Sequence, residues 1–124
     1  LSDKIQTIDI REDSLAEIKT DYLTYPLEEK PDIIITNPPF VLAQEMIEKA
    51  LADVKNYGYV IMLLRLNFFG TQKRFPFFSK NLPTYAYVHH KRISFTGGAT
   101  DSIEYMHAVW VKGENPTHTL LKVI

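Results

Sequence analysis

Cysteine is absent from all 124 residues of this chain. The chain therefore forms no disulfide, binds no metal through thiolates and uses no cysteine nucleophile. No apolar run approaches the roughly 20 residues that a membrane-spanning helix needs, and no secretory signal pattern is present. With 45% hydrophobic and 23% charged residues, the composition is typical of a soluble globular protein. We expect one domain over residues 1–124 and, by default, a cytoplasmic location.

Motifs for several enzyme classes are also lacking. No glycine-lysine phosphate loop and no serine nucleophile elbow occurs, so neither an ATPase nor a serine hydrolase is indicated. The four histidines have no metal-ligand spacing, and neighbours in a strand point to opposite faces. We therefore predict no metal site.

Acidic residues are missing from positions 65–92, which hold six lysines and arginines, whereas residues 1–64 hold six basic and twelve acidic residues. Phenylalanines and tyrosines are interleaved with these cations. A surface that binds nucleic acid needs cations for the phosphates and rings that stack on bases. A solvated face over a core would give the same pattern. The candidate phosphate contacts in this segment are Lys73, Arg74, Lys91 and Arg92.

Apolar runs that alternate with helical patterns predict an α/β fold with a mostly parallel sheet. The predicted strands are Ile5–Ile10, the brief Asp21–Leu23, Ile33–Thr36, Tyr59–Leu64, Tyr85–His89 and Met106–Val111. The predicted helices are a short one at Ser14–Ile18, an amphipathic one from Ala43 to Val54, and a broken helix or loop at Gln72–Lys80 that Pro76 interrupts. Ligands bind beyond the carboxyl ends of strands in such sheets, so the residues that follow each strand are the candidates for a site.

An Asn-Pro-Pro-Phe turn follows the β-branched run Ile33–Thr36, which we expect to be a strand buried on both faces. A proline fixes its own φ and keeps the preceding residue extended. Because Pro39 has no N–H, the Pro38 carbonyl is more easily left free beside the amide oxygen of Asn37. Two neighbouring acceptors suit an NH2 group, whose two hydrogens need two partners, and Phe40 offers a planar guest a stacking surface. An ordinary strand-turn-helix junction, with Pro39 at the first helical position, would explain the same residues.

This turn resembles the catalytic motif Asn/Asp/Ser-Pro-Pro-Tyr/Phe/Trp of S-adenosylmethionine-dependent methyltransferases that alkylate planar amino groups, above all adenine in DNA. The runs Leu63–Phe69 and Lys91–Lys112 are similar to a phage and bacterial subgroup of these adenine methyltransferases. The resemblance implies methyl transfer to the exocyclic amine of adenine in DNA, and makes all four residues of the turn catalytic candidates. Asn37 and the Pro38 carbonyl would accept the amine hydrogens, and Phe40 would stack on the base. In a duplex the base would first be flipped out, at a cost of about a few kcal/mol.

The resemblance also implies the fold and the cofactor. The fold would be a Rossmann-like class I methyltransferase sheet, mostly parallel with a late antiparallel strand, and the cofactor would be S-adenosylmethionine. Asp9 would hold the ribose hydroxyls, and Asp21 would meet the adenine. Ile10 would pack on the adenine face, and Tyr22 would line the pocket. The two aspartates could equally be a surface cap or pair and an ordinary turn residue.

On the substrate side, the same resemblance brings two further groups forward. Arg65 and Asn67 follow a strand where the chain would approach the substrate. Phe95, Thr96 and Asp101 lie in a late loop that would line the base pocket. All five could equally be ordinary loop residues.

The family's first strand and glycine-rich turn have no counterpart here, because none of the five glycines precedes Gly58. We expect an N-terminally truncated domain whose sheet lacks a central strand. Its exposed edge would favour a homodimer, or a separate polypeptide that supplies the missing part. One alternative is a non-catalytic remnant that kept only nucleic-acid binding. Another is a methyltransferase that acts on RNA or on protein glutamine, because the same motif serves amides.

Overall fold

The computed structural model describes residues 4–91 and 103–124. The strands within them are β1 (Ile8–Asp9), β2 (Ile18–Lys19), β3 (Ile33–Thr36), β4 (Tyr59–Arg65), β5 (Tyr85–Val88), β6 (Tyr105–Val111) and β7 (Leu120–Val123). The α-helices are α1 (Ala43–Asp53) and α2 (Phe75–Lys80). Short 3-10 turns lie at Tyr22–Thr24, Phe40–Leu42, Leu66–Gly70 and Gln72–Arg74. In this part of the chain no helix has the length and apolar character needed to cross a bilayer.

Five strands form the main sheet in the order β3-β4-β6-β5-β7. β6 runs antiparallel to β4 and β5, whereas the other four strands point in one direction. The predicted α/β fold, with a mostly parallel sheet and a late antiparallel strand, is therefore confirmed. β7 was not predicted, because Leu-Leu-Lys-Val does not alternate cleanly between apolar and polar residues. All four of its residues are exposed.

β3 is a strand as predicted, but the expectation that it is buried on both faces is wrong. Among the described strands it pairs with β4 alone, so it lies at an edge of the sheet. Ile33 and Ile35 are 40% and 65% exposed, while Ile34 packs against the core. A continuous β-branched run therefore does not distinguish a central strand from this edge. β1 and β2 form a separate two-stranded parallel sheet.

The amphipathic helix predicted from Ala43 to Val54 is confirmed as α1. Ala43, Ile47 and Ala50 are fully buried, because residues three or four apart share one face of a helix. They belong to one cluster with residues of β4 and β6, namely Val60, Met62, Leu64, Met106, Ala108 and Trp110. Full burial of a large apolar side chain contributes about 1.5–3 kcal/mol. This packing holds α1, and with it the turn that precedes α1, against the sheet.

The backbone reverses sharply between α1 and β4. Tyr57 takes up the left-handed region with φ of 65°. Gly58 follows, and a Cβ there would lie 2.6 Å from the Asp32 carbonyl oxygen. The close approach therefore requires glycine. The Lys55 N–H donates to the Pro31 carbonyl at 2.9 Å, which places the start of β4 beside the start of β3.

Two predictions for the segment before β3 are wrong. Ser14–Ile18 is not a helix, and the chain instead enters β2, which pairs with β1. Asp21–Leu23 is not a strand, because the Asp21 carboxylate accepts the Leu23 N–H and caps a 3-10 turn. The predicted interruption near Pro76 is confirmed: a 3-10 turn leads into the short α2, with the proline in its first turn.

Candidate active site

The Asn-Pro-Pro-Phe turn lies at the carboxyl end of β3, where it leads into a 3-10 turn and then α1. The Leu42 N–H donates to the Pro39 carbonyl at 3.0 Å. This bond closes the corner formed by Asn37–Phe40. Pro38 is buried, whereas Asn37 is exposed. Neither the Asn37 amide nor the Pro38 carbonyl forms a hydrogen bond within the described part of the chain. Both acceptors are therefore unbonded, and the Asn37 side chain is the one on an exposed residue.

The ring of Phe40 is 37% exposed and lies next to two arginine side chains. The guanidinium carbon of Arg65 is 5.3 Å from the ring centroid, and that of Arg74 is 4.7 Å from it. Arg65 is the last residue of β4. Because β3 and β4 are parallel neighbours, their carboxyl ends meet at the same edge. The sheet therefore brings Arg65 to the turn.

Arg74 reaches the same ring from the 3-10 turn before α2. Its guanidinium carbon is also 4.2 Å from the ring centroid of Phe68, which is fully buried. Its Nη1 donates to the Phe68 carbonyl at 3.4 Å. Burial lowers the pKa of Arg74, and the charge of Glu45 partly opposes this effect. The guanidinium nevertheless stays charged at any relevant pH.

The other aromatic residues of the basic segment are mainly structural. Phe68 and Phe77 are buried, and both contact the ring of Phe78 edge-on, at centroid distances of 5.5 and 5.3 Å. The interpretation of these rings as a surface that stacks on bases is therefore wrong for Phe68 and Phe77, because they fill the core beneath α2. Phe75 is 70% exposed.

The structure separates the remaining substrate-side candidates. Asn67 and Lys73 are exposed, and among the described residues no hydrogen bond or cation–π contact joins either of them to the turn. Lys91 is exposed at the end of a described range. Arg92, Phe95, Thr96 and Asp101 lie outside the described residues. Of the predicted nucleic-acid residues that are described, only Arg65 and Arg74 adjoin Phe40.

Asp9 lies at the carboxyl end of β1. Its Oδ2 forms an ion pair with Arg11 Nη2 at 2.9 Å, and its Oδ1 accepts the Arg11 N–H at 3.0 Å. The hydrogen bond from the Arg11 side chain lowers the pKa of Asp9, so the carboxylate is ionised at neutral pH. Ile10 is 65% exposed. Both side chains are accessible, although a ligand of Asp9 would share it with Arg11.

Asp21 and Tyr22 already serve the fold. Asp21 Oδ1 accepts the Leu23 N–H at 3.0 Å. The Tyr22 hydroxyl donates to Asp53 Oδ2 at 2.7 Å, and Lys49 Nζ lies 4.2 Å from the centroid of its ring. Burial, followed by the bond to Asp53, raises the pKa of Tyr22. Tyr22 therefore ties its 3-10 turn to α1, a role that sequence reasoning did not predict.

A histidine pair also went unpredicted. His89 Nε2 and His107 Nδ1 are 2.8 Å apart, and burial, with a smaller effect of the His89 charge, lowers the pKa of His107. The pairing of Tyr87 with His107 puts His89 one diagonal away on the same face, so strand register could have revealed the pair. Within the described ranges, no group of three metal-ligating side chains occurs.

Two surface depressions, of about 140 and 610 Å³, lie away from the Asn-Pro-Pro-Phe turn. Both are lined by Lys80, Leu82 and Asn115. None of the predicted site residues lines either of them.

Comparison with known proteins yields a structural match. No protein-family model matches the chain, and no curated protein matches it. Its structure is similar to a crystal structure from Listeria monocytogenes, of a protein described as a candidate class I S-adenosylmethionine-dependent methyltransferase. The TM-score is 0.66 at 17% sequence identity, over 86% of this chain, which spans 41% of that protein. The likeness shows the fold: over most of its described length the chain shares the α/β architecture of that protein.

Proposed function

We propose that the chain is part of a methyltransferase that transfers a methyl group from S-adenosylmethionine to the exocyclic amine of adenine in DNA. The observation that carries this proposal is the corner after β3. There, the unbonded acceptors of Asn37 and Pro38 adjoin the partly exposed ring of Phe40. The class I methyltransferase architecture supports it.

The corner suits the chemistry of an aromatic amine. The lone pair of such an amine is conjugated into the ring, so the amine is a poor nucleophile. If Asn37 Oδ1 and the Pro38 carbonyl accept its two hydrogens, the nitrogen can pyramidalise, and the lone pair becomes available. Acceptors that act mainly in the transition state accelerate the reaction rather than only binding the substrate. Phe40 would hold the base by stacking.

S-adenosylmethionine supplies an electrophilic methyl group on a sulfonium. When bound, it would give this methyl group to the amine nitrogen, with the electron pair of the broken carbon–sulfur bond left on sulfur. The nitrogen then loses one hydrogen as a proton to solvent. The residues of this chain position the amine and the base for that step.

The described residues fit one half of the cofactor. The Asp9 carboxylate is ionised and partly exposed, which suits two ribose hydroxyls. Asp21 keeps Oδ2 free after its Oδ1 caps the turn, so it can meet the adenine. The Tyr22 hydroxyl is used by Asp53, so only its ring is left to line a pocket. The methionine end of the cofactor finds no glycine-rich cradle, because no glycine precedes Gly58.

We propose that the missing cradle comes from a polypeptide segment outside this sequence, either in the same protein or in a separate one. The open edge of β3 supports this, because Ile33 and Ile35 are exposed there and an unpaired edge can accept a further strand. The separate β1–β2 pair supports it too, since two strands alone make a marginal sheet.

A non-catalytic nucleic-acid-binding module is the second candidate. The observation that favours it is the ion pair between Asp9 and Arg11, which occupies a carboxylate that the cofactor would need. In this case the chain would bind DNA and give no signal with the cofactor.

Two measurements test the proposal. Calorimetry of the whole chain with S-adenosylhomocysteine should give heat that Asp9→Ala abolishes and the exposed control Asp13→Ala preserves. Tritiated S-adenosylmethionine should label DNA, with the label recovered as N6-methyladenine. The assay is run on the chain alone and joined to any coding sequence found in frame upstream. Absence of both heat and label in every form would overturn the proposal and favour the binding module.

A further inference from the structure

We propose that Arg65 and Arg74 form a guanidinium clasp that binds the backbone phosphate next to the base held by Phe40. The clasp would make the corner select a nucleotide over a free base or a protein amide. The identity of the guest as a base rests on the proposed function, whereas phosphate binding by the clasp does not need methyl transfer.

The two arginines converge on one ring from different elements. Arg65 ends β4, and Arg74 ends the 3-10 turn before α2. Their guanidinium carbons lie 5.3 and 4.7 Å from the centroid of Phe40. A group that stacks on the exposed part of this ring therefore has two cations beside it.

Among the described residues, neither arginine forms an ion pair with a carboxylate. The ion pairs found among the described residues involve Arg11, Lys49 and Lys55. Glu45 acts on Arg74 only through its charge, at a distance beyond an ion pair. A protein arginine that is partly buried without a carboxylate partner is available to an external anion.

Stacking and anion binding are compatible in a guanidinium group. Its faces cover aromatic rings, while its five N–H donors point outward in its own plane. Arg74 uses one donor on the Phe68 carbonyl, and its guanidinium carbon lies over the rings of Phe40 and Phe68. Its remaining donors form the planar fork that matches two phosphate oxygens. A lysine would supply the charge without the fork or the stack.

Lys73 provides a matched control. It is adjacent to Arg74 in the same 3-10 turn and carries the same charge. It is exposed, and the cation–π contacts found at Phe40 among the described residues come from Arg65 and Arg74. If the clasp is specific, removal of Lys73 should matter less than removal of either arginine.

The first experiment measures binding of the whole chain to single-stranded oligodeoxyadenylate by fluorescence anisotropy, over a series of salt concentrations and without cofactor. The slope of log K against log salt is negative, and loss of one phosphate contact to a single strand makes it less steep by about 0.7. We expect this decrease for Arg65→Ala and for Arg74→Met, which keeps the length and apolar contacts of the side chain. Lys73→Ala should change the slope by less than half as much. Unchanged slopes for both arginine variants, an equal effect of Lys73→Ala, or no DNA binding by the parent chain would overturn the clasp.

The second experiment compares deoxyadenosine with deoxyadenosine 5′-monophosphate as competitors. The nucleotide should compete at least tenfold better with the parent chain, and this preference should vanish in Arg65→Ala and Arg74→Met. Equal competition by nucleoside and nucleotide, or tighter binding of a glutamine peptide, would overturn the clasp. Retention of both results, with neither heat from S-adenosylhomocysteine nor label on DNA in any form of the protein, would contradict the proposed methyl transfer and leave the clasp standing.

Discussion

The hydroxyl of Tyr22 donates a 2.7 Å hydrogen bond to Asp53, whose carboxylate also pairs with Lys49 at 2.6 Å. The bond links the turn after β2 to the last residue of α1. Tyr22, which the sequence placed in the cofactor pocket, therefore has a structural role. Cofactor binding and fold stabilisation predict different effects of replacing Tyr22.

Tyr22→Phe should lower the free energy of unfolding by about 0.5–1.5 kcal/mol, because a partly buried hydrogen bond is lost while the ring is kept. Urea denaturation measures this change. Tyr25→Phe is the matched control, since Tyr25 is also half-buried but makes no side-chain hydrogen bond among the described residues. If the hydroxyl instead binds the cofactor, affinity for S-adenosylhomocysteine would fall while stability stayed constant.

Asn37→Ala should reduce methyl transfer by about 10²–10³-fold, the loss expected when one preorganised polar group of the transition state is removed. It should change the free energy of unfolding by less than about 0.5 kcal/mol, because the side chain is exposed and unbonded. Single-turnover rates and urea denaturation separate the two effects. A variant that methylates at the parental rate would contradict the role of the corner.

Acid should destabilise the histidine pair. The pKa of His107 is lowered in the folded chain, chiefly by burial, so the unfolded chain binds a proton more readily. The contribution of His107 to the free energy of unfolding is therefore fully present above the unfolded pKa of about 6.5. It is lost as the pH falls towards the folded pKa. Melting temperatures measured between pH 8 and 5 should fall, and His107→Gln should remove part of this dependence. The exposed His118→Gln should retain it; identical pH profiles for the two variants would argue against the pair.

Gly58→Ala should lower the free energy of unfolding by about 1–3 kcal/mol, the usual cost of forcing extra atoms into packed surroundings. The added Cβ would lie 2.6 Å from both the Asp32 carbonyl oxygen and Val54 Cγ2. Gly70→Ala is the control, because nothing lies within 4 Å of its added Cβ. Thermal or urea denaturation compares the stability of the two variants. Similar stabilities would contradict the close approach at Gly58.

The local pattern of apolar residues was sufficient to predict the elements that form the core. α1 was predictable because its buried residues recur at helical spacing, and β4 was predictable as an apolar run. Periodicity could not place β3 at an edge, since a strand carries no information about how many neighbours it has. The helix predicted at Ser14–Ile18 failed because pairing with β1 overrode a weak local preference.

The corner itself was accessible from sequence, because prolines restrict the backbone whatever surrounds them. The positions of Arg65 and Arg74 were not. The charge of Arg74 suggested a phosphate contact, and the resemblance brought Arg65 forward as a residue near the substrate. Only the fold shows that a strand end and a later 3-10 turn meet at Phe40. The partners of Tyr22 are similarly remote, since Asp53 is 31 residues away.

β3 and β7 border the described five-stranded sheet, and each pairs with a neighbouring strand on one side only. Both present exposed apolar residues. A sheet of this kind can gain a neighbour on the left and another on the right, so copies can add to one another without closing a ring. Concentration and storage would then govern whether the purified material remains dispersed or grows into ribbons. Capping either border with a short designed strand would be the simplest way to keep it dispersed.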